Sequence, residues 1–384
     1  MKSYFKALAT LCASSTALHA GGWETGTLPT AMMYEDGNYA ELSYGSLTYN
    51  LDGSTSTFDE TNALAALPGS TETGPVKHKM AKNQTRSSIA AKFSVGSYDF
   101  GISNFDSGAI KLDGTNSTVT SKTASADISL KTTAVQVNRA LDGGFNFGLG
   151  MRQLELGSGT VSTLAGVKYS IDSASTSSII ASAAYEMPEI AMRAELVYEG
   201  SAKIDFTHTL SGNAAGTAAT GGTLNIPQAT TLNVQTGIAE GTLLFGTIRN
   251  VAWGSSQVSA TTNFAAYDIS SEFEDTTKYN IGIGRKFSDA LSGSLSYSQE
   301  AASSSKSTSG FTLTDGYRSV SAGIKYTMEK INVSVGYSYV MPGDVTVTHD
   351  FTVGDPRRGA GNSTQTVYKN STVQGLGVKV GVNF

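Results

Sequence analysis

The end of the chain, residues 373–384, alternates strictly between large apolar side chains and small or polar ones. One side carries Leu376, Val378, Val380, Val382 and Phe384, and the other carries Gly375, Gly377, Lys379, Gly381 and Asn383. A period of two predicts a β-strand with one apolar and one polar face. A soluble sheet contains such strands, but a transmembrane barrel requires a last strand that pairs with the first, because an open edge cannot exist in lipid.

The first twenty residues predict a secretory signal peptide. Lys2 and Lys6 precede an apolar run of small residues, 7–17, and a small residue, Ala20, ends the segment. The apolar run is too short to span a membrane. The single cysteine, Cys12, lies within it. We therefore expect a mature extracytoplasmic chain without disulfides, which a closed ring of hydrogen-bonded strands would stabilise instead.

Composition excludes several classes of protein. The chain has 27 Lys and Arg against 32 Asp and Glu, a net charge of −5, so no nucleic-acid partner is expected. Only 15% of residues are charged, yet no stretch approaches about eighteen consecutive apolar residues, which excludes helical membrane spans. A membrane protein of this kind must cross with strands.

Alternating segments predict fourteen strands. They are 38–52, 85–95, 97–108, 124–138, 142–157, 176–187, 189–206, 228–238, 241–255, 275–287, 290–301, 315–328, 330–346 and 372–384. Tight turns and long connections rich in Ser, Thr, Gly and Asn alternate along the chain. Short periplasmic turns and long extracellular loops indicate an all-β, antiparallel transmembrane barrel of the bacterial outer membrane. A secreted sandwich or solenoid would mix its loop lengths.

The segment 189–206 illustrates the two predicted faces. Ile190, Met192, Ala194, Leu196, Tyr198, Ile204 and Phe206 would face lipid, and Arg193, Glu195, Glu199, Lys203 and Asp205 would face a polar lumen.

Residues 21–37 precede the first strand and do not alternate. They either hang in the periplasm or fold into the lumen as a plug, and their apolar side chains favour the lumen. The predicted organisation is thus a signal peptide (1–20), a plug (21–37) and a barrel (38–384).

The chain resembles the FadL/TodX family of outer-membrane channels for hydrophobic molecules. Residues 185–193 and 198–206 are similar to the family's central hairpin, 224–228 and 251–255 to the next hairpin, and 316–339 to the penultimate one. The resemblance implies a fourteen-stranded barrel that takes up long-chain fatty acids or aromatic hydrocarbons. Compared with the family, the segment before the first strand is shortened and lacks an Asn-Pro-Ala-like element.

The family kinks its third strand to open a lateral exit into the bilayer. Residues 104–110 occupy the corresponding place here, and Ser107 with Gly108 would interrupt the ladder there. The alternative is that Gly108 begins the following loop.

The sequence offers little for catalysis. His78, His208 and His349 fall in predicted outer loops without metal-ligand spacing, and no nucleophile motif singles out a serine. We expect no enzymatic activity, no metal and no cofactor.

Transport of an amphipathic molecule requires a dry surface for its tail and a cation for a carboxylate head. Candidates for the tail site are the plug residues Trp23, Leu28, Met32, Met33 and Tyr34. Candidates for the head site are Lys131, Arg152, Arg193, Lys325 and Lys379, each of which would otherwise form a lumen salt bridge or remain solvated.

Three functions are compatible with such a barrel. The first is passive uptake of long-chain fatty acids or similar hydrophobic molecules, the second is a general diffusion porin for small polar solutes, and the third is a surface adhesin displayed on long loops. Expected partners are outer-membrane lipid, a hydrophobic substrate and the barrel-assembly machinery, which would bind the last strand ending at Phe384.

Overall fold

The computed structural model describes residues 22–58, 76–79, 81–113, 125–162, 167–212, 219–260, 269–271, 273–302, 306–307, 311, 314–350 and 363–384. The predicted signal peptide, with Cys12, lies outside these residues.

Fourteen antiparallel strands form a closed ring in chain order, as predicted. They are β1 (Tyr39–Asn50), β2 (Gln84–Val95), β3 (Tyr98–Leu112), β4 (Ser125–Ala140), β5 (Phe145–Leu156), β6 (Ala174–Met187), β7 (Met192–Glu199), β8 (Ala229–Ala239), β9 (Thr242–Val251), β10 (Thr276–Lys286), β11 (Leu291–Glu300), β12 (Tyr317–Met328), β13 (Ile331–Pro342) and β14 (Thr372–Asn383).

The predicted closure of the ring is confirmed. Strand β14 pairs with β1 along its whole length, from Tyr39 opposite Asn383 to Asn50 opposite Thr372. The Phe384 backbone N–H then donates to the Asn38 carbonyl over 3.1 Å, and its ring meets that of Phe93 edge-on. No edge of the ring is left open at this junction, as lipid requires.

The two faces of the strands differ as a membrane barrel requires. Large apolar side chains are exposed on the outer face of every barrel strand, for example Leu149 (72%), Ile281 (57%) and Ile324 (59%). The alternate positions point inward and are buried or half-buried. A continuous apolar outer surface is stable in lipid and not in water, so the fold is a transmembrane barrel.

Among the residues the structure describes, no helix is long and apolar enough to cross a membrane. Short 3-10 helices span Thr30–Tyr34, Asp142–Gly144, Pro188–Ile190 and Trp253–Ser255.

The long connections, predicted as loops, contain short strands at one end of the barrel, the long-loop end. Gly159–Ser162, Val167–Ile171, Ala202–Gly212, Ala219–Ile226, Val258–Ala260 and Ile269–Ser270 extend the barrel sheet, and Asp52–Phe58, Val76–Lys79, Lys306–Ser307, Val345–Asp350 and Ser363–Tyr368 form a second sheet.

The predicted strand 189–206 is wrong in one respect. The barrel strand β7 ends at Glu199, and the chain restarts at Ala202 in a strand that pairs with Val167–Ile171 and Ala219–Ile226 instead. Ile204 and Phe206 are consequently buried under the long connections and do not face lipid. The interruption at Gly200 and Ser201 breaks the continuity that a single period assumes.

Candidate functional site

The described part of the plug, residues 22–37, runs through the lumen from the long-loop end to the short-turn end. At the first end, Trp23 belongs to an apolar cluster with Tyr49, Leu112 and Trp253. At the other end, a second cluster contains Met32, Met33, Tyr34, Tyr39, Ala90 and Ala184. Burial of these apolar side chains holds the segment inside the barrel.

Glu24 anchors the plug through buried ion pairs. Its carboxylate contacts Arg249 Nη2 at 2.5 Å and Lys278 Nζ at 3.2 Å. Arg249 also contacts Glu199 at 2.6 Å, and Glu199 contacts Arg152 at 2.5 Å. We call the set formed by Glu24, Arg152, Glu199, Arg249, Lys278 and Glu300 the ion-pair network.

The ion-pair network contains three acidic and three basic side chains. Lys278 completes it by approaching Glu300 at 3.9 Å, and every side chain in it is at most 9% exposed. Buried charges are stable only when paired, so the loss of one member leaves the charge of its partner uncompensated.

The electrostatics of Glu24 are dominated by its partners. Burial alone would raise the pKa of Glu24, but the charges and hydrogen bonds of Arg249 and Lys278 outweigh burial and lower the pKa to about 2. The carboxylate is therefore ionised at neutral pH, where its ion pairs are intact.

Glu195 on β7 holds the other half of the plug. Its carboxylate accepts hydrogen bonds from Thr30 Oγ1 at 2.9 Å, the Tyr34 hydroxyl at 3.0 Å and Asn233 Nδ2 at 3.0 Å. Burial, and then the Glu195 charge, raise the pKa of Tyr34, so its hydroxyl remains a donor. The Arg193 guanidinium stacks over the Tyr34 ring at 4.1 Å.

The ladder between β2 and β3 is interrupted, and we call this interruption the β2–β3 seam. Pairing runs from Val95 opposite Tyr98 to Ser88 opposite Phe105 and stops there. The structure describes residues 81–113 without a gap, so the interruption belongs to the strands themselves. An isolated bridge between Ala81 and Leu112 closes it further along. The seam is a break in an otherwise continuous wall.

A bulge in β3 coincides with the seam. The register between β3 and β4 shifts between Asp106 and Gly108, and β3 continues to Leu112. Gly108 therefore lies within a strand and does not begin a loop. The bulge bends β3 at the level where its pairing with β2 has ended.

The plug takes the place of β2 on the bulged part of β3. The Thr25 N–H donates to the Ser107 carbonyl over 2.9 Å, and the Ala109 N–H donates to the Trp23 carbonyl over 3.0 Å. Backbone groups that would otherwise be unpaired in the membrane are satisfied in this way. Glu24 lies at the centre of this pairing, and its side chain contacts β9 and β10, which are six and seven strands away from β3 around the ring. The plug therefore connects opposite walls of the barrel.

Side chains bridge the seam from the barrel wall. The Ser87 N–H and hydroxyl both donate to Asp106 Oδ2, over 2.8 and 3.1 Å. Lys131 Nζ lies 4.0 Å from the same carboxylate. The hydrogen bonds from Ser87 to Asp106 are a weaker connection between β2 and β3 than a strand ladder.

A cavity of about 330 Å³ lies between the plug and the barrel wall. Plug residues 25–31 form one side of it. Leu28, Phe105, Val197 and Phe245 supply apolar surface, and serine, threonine and asparagine side chains supply polar surface. The cavity is also lined by Ser87 and Asp106, so it reaches the β2–β3 seam.

The structure places the predicted site residues in several different environments. Leu28, Arg193 and Lys379 line the cavity, and Lys379 contacts Glu41 at 3.1 Å. Ser107 and Gly108 hold the plug at the bulge. The remaining candidates lie away from the cavity lining: Trp23, Met32, Met33 and Tyr34 in the two apolar clusters, Arg152 in the ion-pair network, and Lys325 on the half-buried lumen side of β12.

The predicted lumen position of Lys131 is wrong. Its side chain is 51% exposed on the outside of the barrel, whereas its neighbour Thr132 is fully buried. Strand β4 keeps one phase along its length, so its odd-numbered positions all face outward.

Sequence reasoning missed Glu24, Arg249 and Lys278. The signal for Glu24 was an acidic residue within an otherwise apolar plug, beside Trp23. The signal for Arg249 and Lys278 was a basic residue at an inward position of an alternating strand. Neither signal identifies which charges meet, because the partners are more than 220 residues apart.

Fold and site together define a transmembrane β-barrel whose lumen holds an N-terminal plug and a cavity that reaches a gap in the wall. No protein-family model matches the chain, and no curated protein matches it.

Solved structures share the whole fold. A FadL homologue of Pseudomonas aeruginosa is 14% identical, with a TM-score of 0.74 over 100% of this chain and 98% of that one. The toluene transporters TodX of P. putida and TbuX of Ralstonia pickettii are each 12% identical, with TM-scores of 0.60 and 0.59 over 100% of this chain and 99% of theirs. The predicted resemblance to FadL and TodX is therefore confirmed for the fold.

Proposed function

We propose that the protein is an outer-membrane channel for passive uptake of long-chain fatty acids or similar hydrophobic molecules. The observation that carries the proposal is the cavity beside the plug, which reaches the β2–β3 seam. A molecule bound there would leave sideways into the bilayer, between Ser87 and Asp106. The shared fold with a FadL homologue and two toluene transporters supports the same class of cargo.

Arg193 is the best candidate for binding a carboxylate head. It is only 6% exposed, it lines the cavity, and its Nη1 atom has no hydrogen-bond partner in the described part of the chain. A buried guanidinium with an unused donor favours an anionic ligand. Arg249, Lys278 and Lys379, which also line the cavity, are already paired with carboxylates.

The apolar part of the cavity suits a hydrocarbon tail. Leu28 packs with Phe105 and Val197 in a buried cluster beside it. Apolar lining of this kind selects by size and shape, so both alkyl chains and small aromatic hydrocarbons belong to the proposed class.

A general diffusion porin requires a water-filled lumen. In this structure the plug crosses the lumen, and the ion-pair network and the apolar cluster around Trp23 fill the long-loop end. The expected conductance of the intact protein is therefore small.

Uptake and conductance test the proposal together. Cells whose own long-chain fatty-acid channel is deleted would express this protein, and uptake of labelled oleate would be measured. The purified protein would be studied in planar bilayers, with and without residues 22–37. We expect oleate uptake, low conductance in the intact protein and high conductance after deletion. High conductance of the intact protein without oleate uptake would establish the porin instead.

A further inference from the structure

Charged side chains on the outer face of the barrel are concentrated beside the β2–β3 seam. In the half of the wall nearest the long-loop end, the outward positions of β3, β4 and β5 carry Asp106, Lys111, Asp127, Lys131 and Glu155. Among the other barrel strands, as far as the structure describes them, one outward charge lies in that half, Arg318 on β12. Charge is therefore distributed unevenly around the outside of the ring.

Three of these residues lie side by side, and we call Asp106, Lys131 and Glu155 the outer charge cluster. Lys131 Nζ lies 4.0 Å from Asp106 Oδ1, and the register places Lys131 opposite Glu155 on β5. The side chains of Lys131 and Asp106 are 51% and 32% exposed, and Glu155 is exposed as well. All three side chains are accessible from outside the barrel.

Outward tyrosines mark the level at which the barrel leaves the hydrocarbon of the membrane. Four strands carry one at the sixth residue from their first outward residue at the short-turn end: Tyr198, Tyr279, Tyr297 and Tyr337. Each of these rings is at least 37% exposed. Tyrosine is enriched where lipid head groups meet acyl chains, so these rings define the outer boundary of the hydrocarbon.

The outer charge cluster begins one outward position beyond this level. The sixth residue on β3, counted from Tyr98, is Asn104, and the sixth on β4, counted from Arg139, is Thr133. Asp106 and Lys131 follow them. Two residues along a strand tilted by about 40° add about 5 Å of height, and the head-group layer is about 5–8 Å thick on each side of a bilayer. The cluster therefore lies at the level of the lipid head groups.

The barrel itself does not require charges at this level. The equivalent outward positions on β10, β11 and β13 carry the uncharged residues Thr277, Gln299 and Tyr339. An exposed ion pair such as that of Lys131 with Asp106 adds little to stability in water. The same charges interact more strongly with a partner in the head-group layer, where the dielectric constant is lower than in water.

The charge balance of the cluster indicates which head group fits. Two carboxylates flank one ammonium group, so a further anion would meet net repulsion. A head group that carries a primary ammonium beside its phosphate would pair with both signs, because the ammonium donates to carboxylates and the phosphate accepts from lysine. A choline head group has a cation that cannot donate hydrogen bonds, and a glycerol head group has no cation.

We propose that the outer charge cluster binds the head group of an ethanolamine phospholipid on the outside of the barrel. Lys131 donates to the phosphate, and the lipid ammonium donates to Glu155 and to Asp106 Oδ1, the oxygen that Ser87 does not use. The contact is continuous with the lipid-facing wall and places a bound phospholipid beside the β2–β3 seam. It stands whether or not the lumen carries a hydrophobic molecule.

The test measures which lipids gather at the cluster. Gln153→Cys on β5 and Gln299→Cys on β11 are matched reporter sites, because both glutamines are exposed, face outward and are the eighth residue from the first outward residue of their strand. Gln153 is the outward neighbour of Glu155, whereas β11 carries no charge nearby on its outer face. Each cysteine would carry a bimane fluorophore in the full-length mature protein.

The labelled protein would be reconstituted in phosphatidylcholine vesicles that contain about one-tenth of a nitroxide-labelled lipid. That lipid has an ethanolamine, a choline or a glycerol head group, and its nitroxide lies near the top of the acyl chain. We expect the ethanolamine lipid to quench bimane at Gln153→Cys about threefold more strongly than the choline lipid, and about equally strongly at Gln299→Cys.

Charge variants identify the groups responsible. Lys131→Gln and Glu155→Gln should each abolish the preference for ethanolamine at Gln153→Cys, and Lys203→Gln, in an exposed ion pair elsewhere at the long-loop end, should preserve it. Asp106 is left unchanged because it also accepts hydrogen bonds from Ser87. All three substituted side chains are exposed, so the barrel is expected to fold in each variant.

Three results would overturn the inference. Equal quenching by the ethanolamine and choline lipids at Gln153→Cys would show that the cluster does not select a head group. Stronger quenching by the glycerol lipid would show an anion site. Quenching by iodide in water without quenching by any lipid would place the cluster above the membrane.

Discussion

Replacement of Glu24 by glutamine should release the plug from the barrel wall. Arg249 would lose the charge of Glu24 at 2.5 Å and keep Glu199, whereas Lys278 would keep, among the described carboxylates, Glu300 at 3.9 Å. Removing one member of a buried ion pair costs about 3–5 kcal/mol. The lowering of the Glu24 pKa from 4.5 to about 2 corresponds to about 3 kcal/mol at about 1.4 kcal/mol per unit.

A weakening of about 3 kcal/mol raises the undocked population of the plug about a hundredfold. The predicted mature chain contains no cysteine, so a Thr27→Cys variant carries a single reporter on the plug. The rate at which a membrane-impermeant maleimide labels this cysteine measures undocking when closing is faster than labelling. Glu24→Gln should raise that rate about a hundredfold, within the limit set by full exposure.

Two matched variants separate this effect from a general loss of charge. Glu24→Asp keeps the carboxylate and should restore part of the protection. Asp205→Asn removes a carboxylate from an exposed ion pair with Lys203 and should change nothing. A labelling rate of Glu24→Gln within about twofold of the parent would refute the claim that the ion-pair network holds the plug.

Three further predictions concern the same elements. Because the pKa of docked Glu24 lies below its ordinary value, the stabilisation of the docked plug by Glu24 is complete above about pH 4.5 and is lost as the pH falls towards 2. Bilayer conductance should therefore be constant from pH 7 to 5 and rise below that range. Gly108→Ala places a Cβ 3.0 Å from the Trp23 ring and should loosen the plug by about 1–3 kcal/mol in the labelling assay, whereas Gly221→Ala, with its nearest neighbour at 4.0 Å, should not. Arg193→Ala should weaken laurate binding, measured by equilibrium dialysis on the purified protein, about tenfold by loss of a charged hydrogen bond. Lys203→Ala, in an exposed ion pair away from the cavity, should leave laurate binding unchanged.

The barrel was predictable because its pattern is local and repeated. Alternation places lipid-facing and lumen-facing residues in every strand, and the alternation of short and long connections fixes the ring. The last strand, ending at Phe384, pairs with the first as its apolar face requires. The predicted strand 189–206 fails where Gly200 and Ser201 end a strand without a strong turn signal, and 330–346 likewise runs past the end of β13 at Pro342 into Val345–Asp350 of the second sheet.

The interior was less predictable because its contacts are distant in sequence. Glu24 meets Arg249 and Lys278 only after the ring has closed, and no local pattern records which inward charges become partners. The sequence allowed two interpretations of Gly108, as an interruption of the ladder or as the start of a loop. The register of β3 continues past Gly108 after a shift, so Gly108 lies within the strand and does not start a loop.

The route through the β2–β3 seam is the central claim, and a reversible cross-link tests it directly. The double variant S87C/D106C places a disulfide where the Ser87 N–H now bonds Asp106, in a mature chain predicted to have no other cysteine. Oleate uptake would be measured in cells expressing it, before and after reduction. The account predicts that uptake is lost in the oxidised protein and restored by reduction; equal uptake in both states would contradict it.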